Sequence, residues 1–405
     1  MISLEAARDI VLRHAVLMGS ERIALHEALG RVLAADITAR REHPPWDNSA
    51  MDGFAVRGCD VARAAPDAPV VLRRVGEVRA GAFSGCNVGA GEAVDIMTGA
   101  PLPTGADTVV RLEDTRVSGD SVSVINACAR GANVRRRGED IRLGEPLLPR
   151  GSPCRPAEVG LLATAGHVWV NVYQRPRVAV LATGDELAEP GEALGPEKII
   201  NSNSFSIAAL VREAGGVPIV LAPARDSKED LSARLCEALG ADIVLAVGGV
   251  SLGKYDYVKD VLKALGVEMK FWRVKMRPGH PVAFGVLPQT PGPRLFGLPG
   301  NPVSCMVAFY QFVRPLMRKM TGLSALRLPE VDAVLDEDSY SRPGRVHLAR
   351  AVTHWRGGAY RTRLSGDQGS GLITSMSRAN SLIVFPEEGG CFPAGARLTV
   401  QLLPE

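Results

Sequence analysis

The amino-acid sequence predicts a multi-domain protein of α/β plus β class, with a central parallel-sheet domain, a β-rich insert domain and a C-terminal β-barrel domain. The chain has 405 residues, and a single hydrophobic core stops growing below that size, so several domains are expected. Buried strands and helices alternate from Pro176 to about residue 326. Short Val-rich strands separated by Gly and Pro fill residues 46–143 and 327–405.

The N-terminal region and residues 144–174 are predicted to be helical. Apolar residues recur at helical spacing from Leu4 to His14, and a second helical segment is expected from Glu27 to Leu33. Pro156 opens an apolar run that is typical of a helix entered through proline. These patterns place residues 1–26 and 175–326 in the central domain, and residues 27–45 and 144–174 in a helical linker domain.

The strands of the other regions follow from short apolar runs. In the insert, strands are expected near residues 70–72, 108–110 and 122–124. In the central domain, strands 178–182, 217–221 and 243–247 alternate with helices 205–214 and 230–239, and strands that are apolar on both faces favour a parallel sheet covered by helices. A long helix is expected from Pro302. The C-terminal strands form a small barrel or a sandwich, and are predicted at 331–335, 346–352, 360–364, 382–385 and 397–402.

Composition limits the class of partner. The formal charge of +3 is too small for a nucleic-acid-binding surface, and the basic residues are scattered. Seven cysteines, without CxxC spacing, argue for reduced thiols and against zinc or a disulfide framework. No apolar stretch approaches the roughly 18 residues of a membrane span, and the N-terminus is predicted to be an amphipathic helix and not a signal peptide. We therefore expect a cytoplasmic protein without nucleic-acid or membrane partners.

Ligands of open α/β sheets bind at the carboxyl ends of the strands, so the loops after the predicted strands are candidate sites. The first loop, TGDEL (183–187), leads to NSNS (201–204), which either contacts a ligand or caps the next helix. The second, GGVSLGKYD (248–256), has glycines that let backbone N–H groups approach an anion. Its Asp256 beside a phosphate cradle indicates a bridging Mg²⁺.

Two further loops carry cations and a helix start. In RVKMRPGHP (273–281), alternation places Arg273, Lys275 and Arg277 on one face. This face is either a solvated edge strand or an anion site, because three neighbouring cations repel one another unless they are compensated. GLPGNPVS (297–304) begins a helix with Pro302 and is a second candidate anion site.

Nine motifs follow one another along nearly the whole chain. They are DNSAMDGFAV (47–56), IMTGAPLP (96–103), RRRGEDI (135–141), LATGDEL (181–187), NSNS, GGVSLGKYD, MRPGHP (276–281), GLPGNPVS and QGSGLITSMSRANSLIVFP (368–386). In this order, they resemble the motifs of the molybdopterin molybdenumtransferase family, the MoeA-like proteins that include the gephyrin E domain.

The resemblance implies insertion of molybdate into adenylylated molybdopterin with Mg²⁺-dependent release of AMP. Cleaving a pyrophosphate while holding an oxyanion needs carboxylates, cations and N–H groups in one cleft, as these loops supply. The catalytic residues expected on this basis are Asp52, Thr98, Asp140, Glu186, Asp226 and Asp256, with Glu186 and Asp256 as metal ligands. The substrate-binding residues expected are Thr183, Gly184, Asp185, Asn203, Ser204, Gly248, Gly249, Ser251, Arg273, Lys275, Arg277, Pro299, Gly300, Asn301, Ser304, Arg350 and Ser370.

The resemblance also implies a homodimer with a shared site. Asp52, with Thr98 and Asp140, is expected to reach a cleft that the partner chain completes. The alternative is an Asx-type turn that stabilises the backbone before Gly53. The sequence departs from the family pattern at His280, which replaces the usual Lys and is expected to be mostly neutral at pH 7.

Three other functions share parts of this pattern. The related adenylyltransferase has the sheet domain but lacks the insert and the barrel, so domain content disfavours it. A scaffold that binds receptor loops is disfavoured by Glu186, Asp226 and Asp256. A preference for tungstate over molybdate stays open, because the two oxyanions are nearly equal in size and charge.

Overall fold

The computed structural model describes residues 1–83, 85–192, 195–249, 257–288 and 292–404. The chain forms two compact units. The first comprises Met1–Glu21, Gly30–Ala34 and Asn171–Glu405, and the second comprises Arg22–Leu29 and Ala35–Val170. Every helix in the described ranges is too short or too polar to cross a lipid bilayer.

The chain opens with an amphipathic helix and then enters the second unit, which is mainly β. Ser3 caps the first helix by accepting a hydrogen bond from Ala6 N–H at 3.2 Å. The elements as far as residue 173 are α1 (Leu4–Arg13), β1 (Ser20–Ala24), β2 (Ile37–Thr38), β3 (Asn48–Ser49), β4 (Gly53–Val56), α2 (Gly58–Val61), β5 (Val70–Val78), β6 (Glu92–Ile96), β7 (Thr108–Arg111), β8 (Thr115–Ser118), β9 (Ser121–Val124), β10 (Val134–Arg135), β11 (Pro146–Leu148), α3 (Pro156–Thr164) and β12 (Trp169–Tyr173), with 3₁₀ turns at Leu25–Glu27 and Leu112–Asp114.

The predicted helix from Glu27 to Leu33 is wrong. Only the 3₁₀ turn Leu25–Glu27 forms, because Gly30 adopts a φ of 73°, which ends a helix. Arg31 then donates to the Tyr173 carbonyl at 2.8 Å and pairs with Glu21. These bonds hold the backbone after Gly30 in an extended course. The helix predicted at Pro156 is confirmed as α3.

Six strands of the described residues form one sheet in the second unit, in the order β7-β4-β6-β5-β9-β8. Strand β4 lies between β6 and β7, and all four of its residues are buried. Gly53 begins this strand, where a Cβ atom would lie 1.9 Å from the Val110 carbonyl oxygen of β7. The glycine of the DNSAMDGFAV motif is therefore required by the close approach of two backbones.

The first unit alternates strands and helices and then turns to strands, as predicted. Its elements from residue 177 are β13 (Arg177–Ala182), β14 (Leu187–Ala188), β15 (Ile199–Ile200), α4 (Ser202–Glu213), β16 (Val217–Val220), α5 (Lys228–Ala238), β17 (Ile243–Val247), α6 (Val258–Ala264), β18 (Glu268–Phe271), β19 (Met276–Arg277), β20 (Ala283–Val286), β21 (Arg294–Leu298), α7 (Pro302–Ala308), a π-helical segment (Phe309–Val313), α8 (Arg314–Met320), β22 (Glu330–Leu335), β23 (Ser339–Ser341), β24 (Val346–Arg356), β25 (Ala359–Leu364), α9 (Ile373–Ser377), β26 (Ser381–Phe385), β27 (Gly390–Phe392) and β28 (Arg397–Leu402).

The central sheet of the described residues has the order β16-β13-β17-β21-β20-β18. Strands β16, β13, β17 and β21 are parallel, and β20 and β18 continue the sheet antiparallel. Alternate residues of β17 enter two separate hydrophobic clusters, Leu245 in one and Val244 in the other. Both faces are thus covered, which explains the unbroken apolar sequence of this strand. The parallel sheet is confirmed.

The C-terminal strands close into a barrel. Strands β24, β25, β22, β28 and β26 pair in that order, and β24 also pairs with β26. This closure decides between the barrel and the sandwich that the sequence left open. Strand β19 pairs with β24 in parallel from outside the barrel. The long helix predicted from Pro302 is confirmed, with a π-helical segment between α7 and α8.

We predict that Gly53→Ala lowers the free energy of unfolding by roughly 1–3 kcal/mol or more, because the added methyl group forces β4 and β7 apart. Chemical denaturation measures the change. The matched control is Gly160→Ala within α3, where nothing lies within 4 Å of an added Cβ and alanine favours the helix. Equal stability of the two variants would contradict the packing argument.

Candidate functional site

The carboxyl ends of three parallel strands meet at one cavity. Ala182 of β13 pairs with Val247 of β17, which pairs with Leu298 of β21. The loops after these strands therefore begin side by side, and a cavity of about 460 Å³ opens among them. Its lining includes Thr183, Glu186, Asn203, Gly248, Gly249 and Asn301, together with Pro299 and Gly300.

The backbone of the second loop approaches the first loop closely. Gly248 and Gly249 have φ values of 94° and 61°. A Cβ on Gly248 would lie 2.8 Å from the Thr183 carbonyl oxygen, and one on Gly249 would lie 3.0 Å from Thr183 Oγ1. The positive φ values and the lack of room for a Cβ atom therefore both require glycine at these two positions. Ser251 and Asp256 of the same motif lie outside the described residues.

Three buried side-chain oxygens at this site have no hydrogen-bond partner in the described structure. They are Thr183 Oγ1, Asn203 Oδ1 and Ser204 Oγ. Thr183 is 8% exposed and Ser204 is 1% exposed. Because buried polar atoms are nearly always paired in folded proteins, these three oxygens indicate a ligand that supplies the missing partners.

The NSNS segment serves two purposes. The Asn201 side chain accepts a hydrogen bond from Ser204 N–H at 3.3 Å and caps α4, so the predicted capping role is present. Asn203 Nδ2 donates to the Gly300 carbonyl at 2.6 Å. This bond fixes the amide and leaves Oδ1 as an unpaired acceptor. Capping and a ligand-binding role are compatible here.

The acidic residues of the first loop differ in their surroundings. Glu186 is exposed and lines the cavity, and its carboxylate lies over Gly184, within 2.6 Å of where a Cβ would be. Asp185 and Asp226 each accept a hydrogen bond from the other's backbone N–H, at 3.3 and 3.5 Å. The described residues contain no cluster of three side chains that could hold a metal ion.

A loop of the barrel is held against the start of α7. Asn301 Nδ2 donates to Ser370 Oγ at 3.0 Å, and Val303 N–H donates to the Ser370 carbonyl at 3.2 Å. Ser304, one turn into α7, is 4% exposed. Asn301 and Ser370, which are 69 residues apart in sequence, are thus brought together.

Arg350 is fully buried in the barrel, at 0% exposure. Its Nε donates to Ser375 Oγ at 2.9 Å, and Nη2 donates to the Asp367 and Gly369 carbonyls at 2.9 and 3.1 Å. Burial lowers the pKa of this guanidinium from its ordinary value. The bonds order the loop before Ser370, whereas Nη1 has no partner in the described structure.

The cationic segment 273–277 alternates as predicted. Val274 and Met276 are buried, and the basic residues between them are half-buried or exposed. The edge-strand alternative applies to Met276–Arg277, which is β19. Lys275 Nζ pairs with Glu387 at 2.7 Å. Burial, with the charges of Arg345 and Arg273, lowers the pKa of His280, which fits the expected neutral imidazole.

Asp52, Thr98 and Asp140 belong to the second unit. Asp52 Oδ1 accepts hydrogen bonds from Thr98 N–H at 2.6 Å and from its Oγ1 at 2.8 Å, and these bonds lower the pKa of Asp52. The local turn is instead made by Ser49 Oγ, which accepts from Met51 N–H at 3.3 Å. The exposed Asp140 donates its N–H to the His43 carbonyl at 3.1 Å.

Some residues of the site were not predicted. Leu187, Ile199, Ile200 and Pro281 line the cavity. Strands β14 and β15 pair in parallel and bring Leu187 next to Ile199. The signal was an apolar Ile-Ile pair directly before NSNS, at the end of a polar loop.

Family models match nearly the whole chain in three parts. Residues 2–166 match the MoeA N-terminal region (domain I and II), residues 179–319 match a probable molybdopterin binding domain, and residues 332–403 match the MoeA C-terminal region (domain IV). The chain thus contains, one after another, the three regions that these models describe, and it has the domain composition of a MoeA protein.

Individual relatives agree. A molybdopterin molybdenumtransferase of Nostoc sp. is 37% identical over 388 residues, covering 95% of this chain and 89% of the relative. One of Bacillus subtilis is 35% identical over 391 residues, covering 95% and 90%. The crystal structure of the molybdopterin biosynthesis MoeA protein from Pyrococcus horikoshii superposes with a TM-score of 0.84 at 30% identity, covering 99% and 100%. The chain belongs to the MoeA family of molybdopterin molybdenumtransferases, which confirms the resemblance and the fold class.

We predict that Thr183→Val leaves the free energy of unfolding unchanged or raises it by up to about 1 kcal/mol, because the buried hydroxyl has no partner to lose. Affinity for molybdopterin is expected to fall roughly tenfold, because the hydroxyl that would pair with the bound ligand is removed. Chemical denaturation and a binding titration measure the two effects.

The matched control for that prediction is Thr353→Val in the barrel. The Thr353 hydroxyl bonds Thr362 Oγ1 at 2.8 Å and Ser381 Oγ at 2.7 Å, so its loss costs about 1–3 kcal/mol of stability and no affinity. If Thr183→Val were as destabilising as the control and bound ligand normally, its hydroxyl would have no binding role.

Proposed function

We propose that this protein inserts molybdate into adenylylated molybdopterin, with Mg²⁺-dependent release of AMP, in the cytoplasm. The observation that carries the proposal is the cavity at the ends of β13, β17 and β21, with its glycine backbone and unpaired oxygens. A ligand that joins a heterocycle to phosphates needs backbone that can approach the phosphates closely and polar side-chain atoms that can pair with the heterocycle. The cytoplasm is proposed from the odd cysteine number of the sequence.

The unpaired atoms fit the two ends of such a ligand. The hydroxyls of Thr183 and Ser204 can donate to phosphate oxygens, whereas Asn203 Oδ1 can only accept and so needs an N–H or O–H group of the ligand. Leu187 and Ile199 add apolar surface for a ring system. Helix α4 presents its N-terminus beside these residues, which favours negative charge.

The described carboxylates are compatible with Mg²⁺. This ion is usually held by one or two carboxylates together with substrate phosphates and water, and Glu186 lines the cavity beside the unpaired Thr183 hydroxyl. Glu186 would hold Mg²⁺, with Asp256 as the second ligand expected from sequence. The ion would neutralise phosphate charge during cleavage.

The chemistry requires no oxidant or reductant. Two Mo–S bonds form as the two dithiol S–H groups lose their protons, and one oxide ligand of molybdate takes up both protons and leaves as water. Cleavage of the pyrophosphate P–O bond consumes one water and gives AMP and the phosphorylated pterin. The role of the chain is to hold the charged groups together and to orient them.

The Asp52–Thr98 pair is proposed to complete the site of a second copy of the chain. Both residues are exposed, although the Asp52 carboxylate is already ordered by two hydrogen bonds from Thr98. An ordered, ionised carboxylate on an exposed surface is suited to a shared cleft in a symmetric homodimer.

The direct test is a turnover assay with purified protein, adenylylated molybdopterin, molybdate and Mg²⁺, following AMP release. We expect activity that requires molybdate and is abolished by chelating Mg²⁺. Glu186→Gln is expected to lose roughly 100-fold or more of this activity, because several kcal/mol of transition-state charge stabilisation disappear.

Glu192→Gln in the same loop is the control and keeps full activity, since Glu192 is exposed. The same assay with tungstate in place of molybdate measures the oxyanion preference. Wild-type protein that releases no AMP, but binds peptides, would replace the enzymatic function with a scaffold function.

The shared site predicts complementation between two inactive variants. Mixing Asp52→Ala with Glu186→Ala subunits under exchange conditions restores roughly a quarter of wild-type activity, because half of the dimers are mixed and each has one intact site. Asp67→Ala, which removes another exposed carboxylate of the second unit, stays active alone. No recovery despite demonstrated subunit exchange would rule out the shared site.

A further inference from the structure

Arg345 lies beside the cationic segment although it is about 70 residues away in sequence. Strand β19 pairs in parallel with the start of β24, with Met276 opposite Val346. Val346 N–H also donates to the Lys275 carbonyl at 3.2 Å. Because neighbouring strands are about 4.8 Å apart, this pairing places Arg345 next to Lys275.

The residues after the cationic segment turn back towards Val274. Val274 N–H donates to the His280 carbonyl at 3.1 Å, which closes the turn 274–280. The charges of Arg345 and Arg273 both act on the His280 imidazole. Arg345 on the barrel thus shares one neighbourhood with Arg273 and His280.

The positive charge of this neighbourhood is not compensated within the described structure. Lys275 pairs with Glu387, but no ion pair of the described residues involves Arg273, Arg277 or Arg345. Neighbouring guanidinium groups repel one another, and a bound anion removes the repulsion.

The segment is also fixed against the cavity. Pro281, directly after His280, lines it. Gly279 packs on α7, where a Cβ would lie 3.0 Å from the Ser304 carbonyl oxygen. The turn that follows these cations is therefore packed on α7 and reaches the cavity at Pro281.

We propose that Arg345 is an oxyanion-binding residue, which with Arg273 and Arg277 holds the tetrahedral molybdate dianion beside the cavity. The inference rests on the proposed function. It adds Arg345 to the contribution of the barrel, where the buried Arg350 orders the loop before Ser370.

Calorimetric titration of the full-length protein with molybdate alone tests this assignment. Arg345→Gln is expected to weaken binding roughly tenfold or more, since a charge-assisted hydrogen bond is lost, and to raise the KM for molybdate with little change in kcat. Arg345→Lys keeps most of the affinity. Adding His280→Lys to Arg345→Gln restores binding, because it returns a cation to the same neighbourhood.

Arg356→Gln is the matched control, since it removes an exposed arginine from the far end of β24 in the same barrel. Unchanged affinity in Arg345→Gln, or an equal loss in the control, overturns the inference. A parallel titration with inorganic phosphate tests which oxyanion is bound. Binding of phosphate without binding of molybdate also overturns the inference. Wild-type protein that fails to turn over overturns the proposed function, whereas wild-type turnover with a normal Arg345→Gln variant overturns only the role of Arg345.

Discussion

The close approach of the backbone at Gly248 and Gly249 to Thr183 is the constraint on which the site depends. A Cβ at either glycine would lie within about 3 Å of Thr183 atoms, so these loops can converge only without side chains at both positions. Their convergence leaves the Thr183 hydroxyl buried and unpaired. The unpaired hydroxyl costs stability unless a ligand is bound. Such a cost at a glycine-lined cavity is typical of a site preserved for binding.

The C-terminal barrel holds a second group of residues near the candidate site. Burial of Arg350 is tolerated because two backbone carbonyls and the Ser375 hydroxyl accept its hydrogen bonds, and an unpaired buried charge would be far more costly. These bonds order the loop that reaches Asn301 through Ser370. Glu387, which follows β26 of the barrel, pairs with Lys275 of the cationic segment. The pairing of β19 with β24 brings Arg345 next to the same segment. The proposed anion site therefore draws on residues that are distant in sequence.

Local patterns predicted the strands more reliably than their partners. The strand Ile243–Val247 has the predicted bounds, because it is apolar on both faces and is bounded by Ala-Asp and Gly-Gly. The five C-terminal strands were also predicted, but the β24–β26 pairing that closes the barrel is non-local and leaves no local signal. The helix expected at Glu27–Leu33 failed because helical spacing does not report the positive φ of Gly30. At the site, the motifs identified Asn203 and Ser204, but their unpaired oxygens became evident only from packing.

The most direct test of the cavity as the ligand site is a crystal structure with adenylylated molybdopterin and molybdate bound. The account predicts ligand atoms within about 3.2 Å, a normal hydrogen-bond distance, of Thr183 Oγ1, Asn203 Oδ1 and Ser204 Oγ. Ligand density elsewhere, with these three oxygens still unpaired, would contradict it.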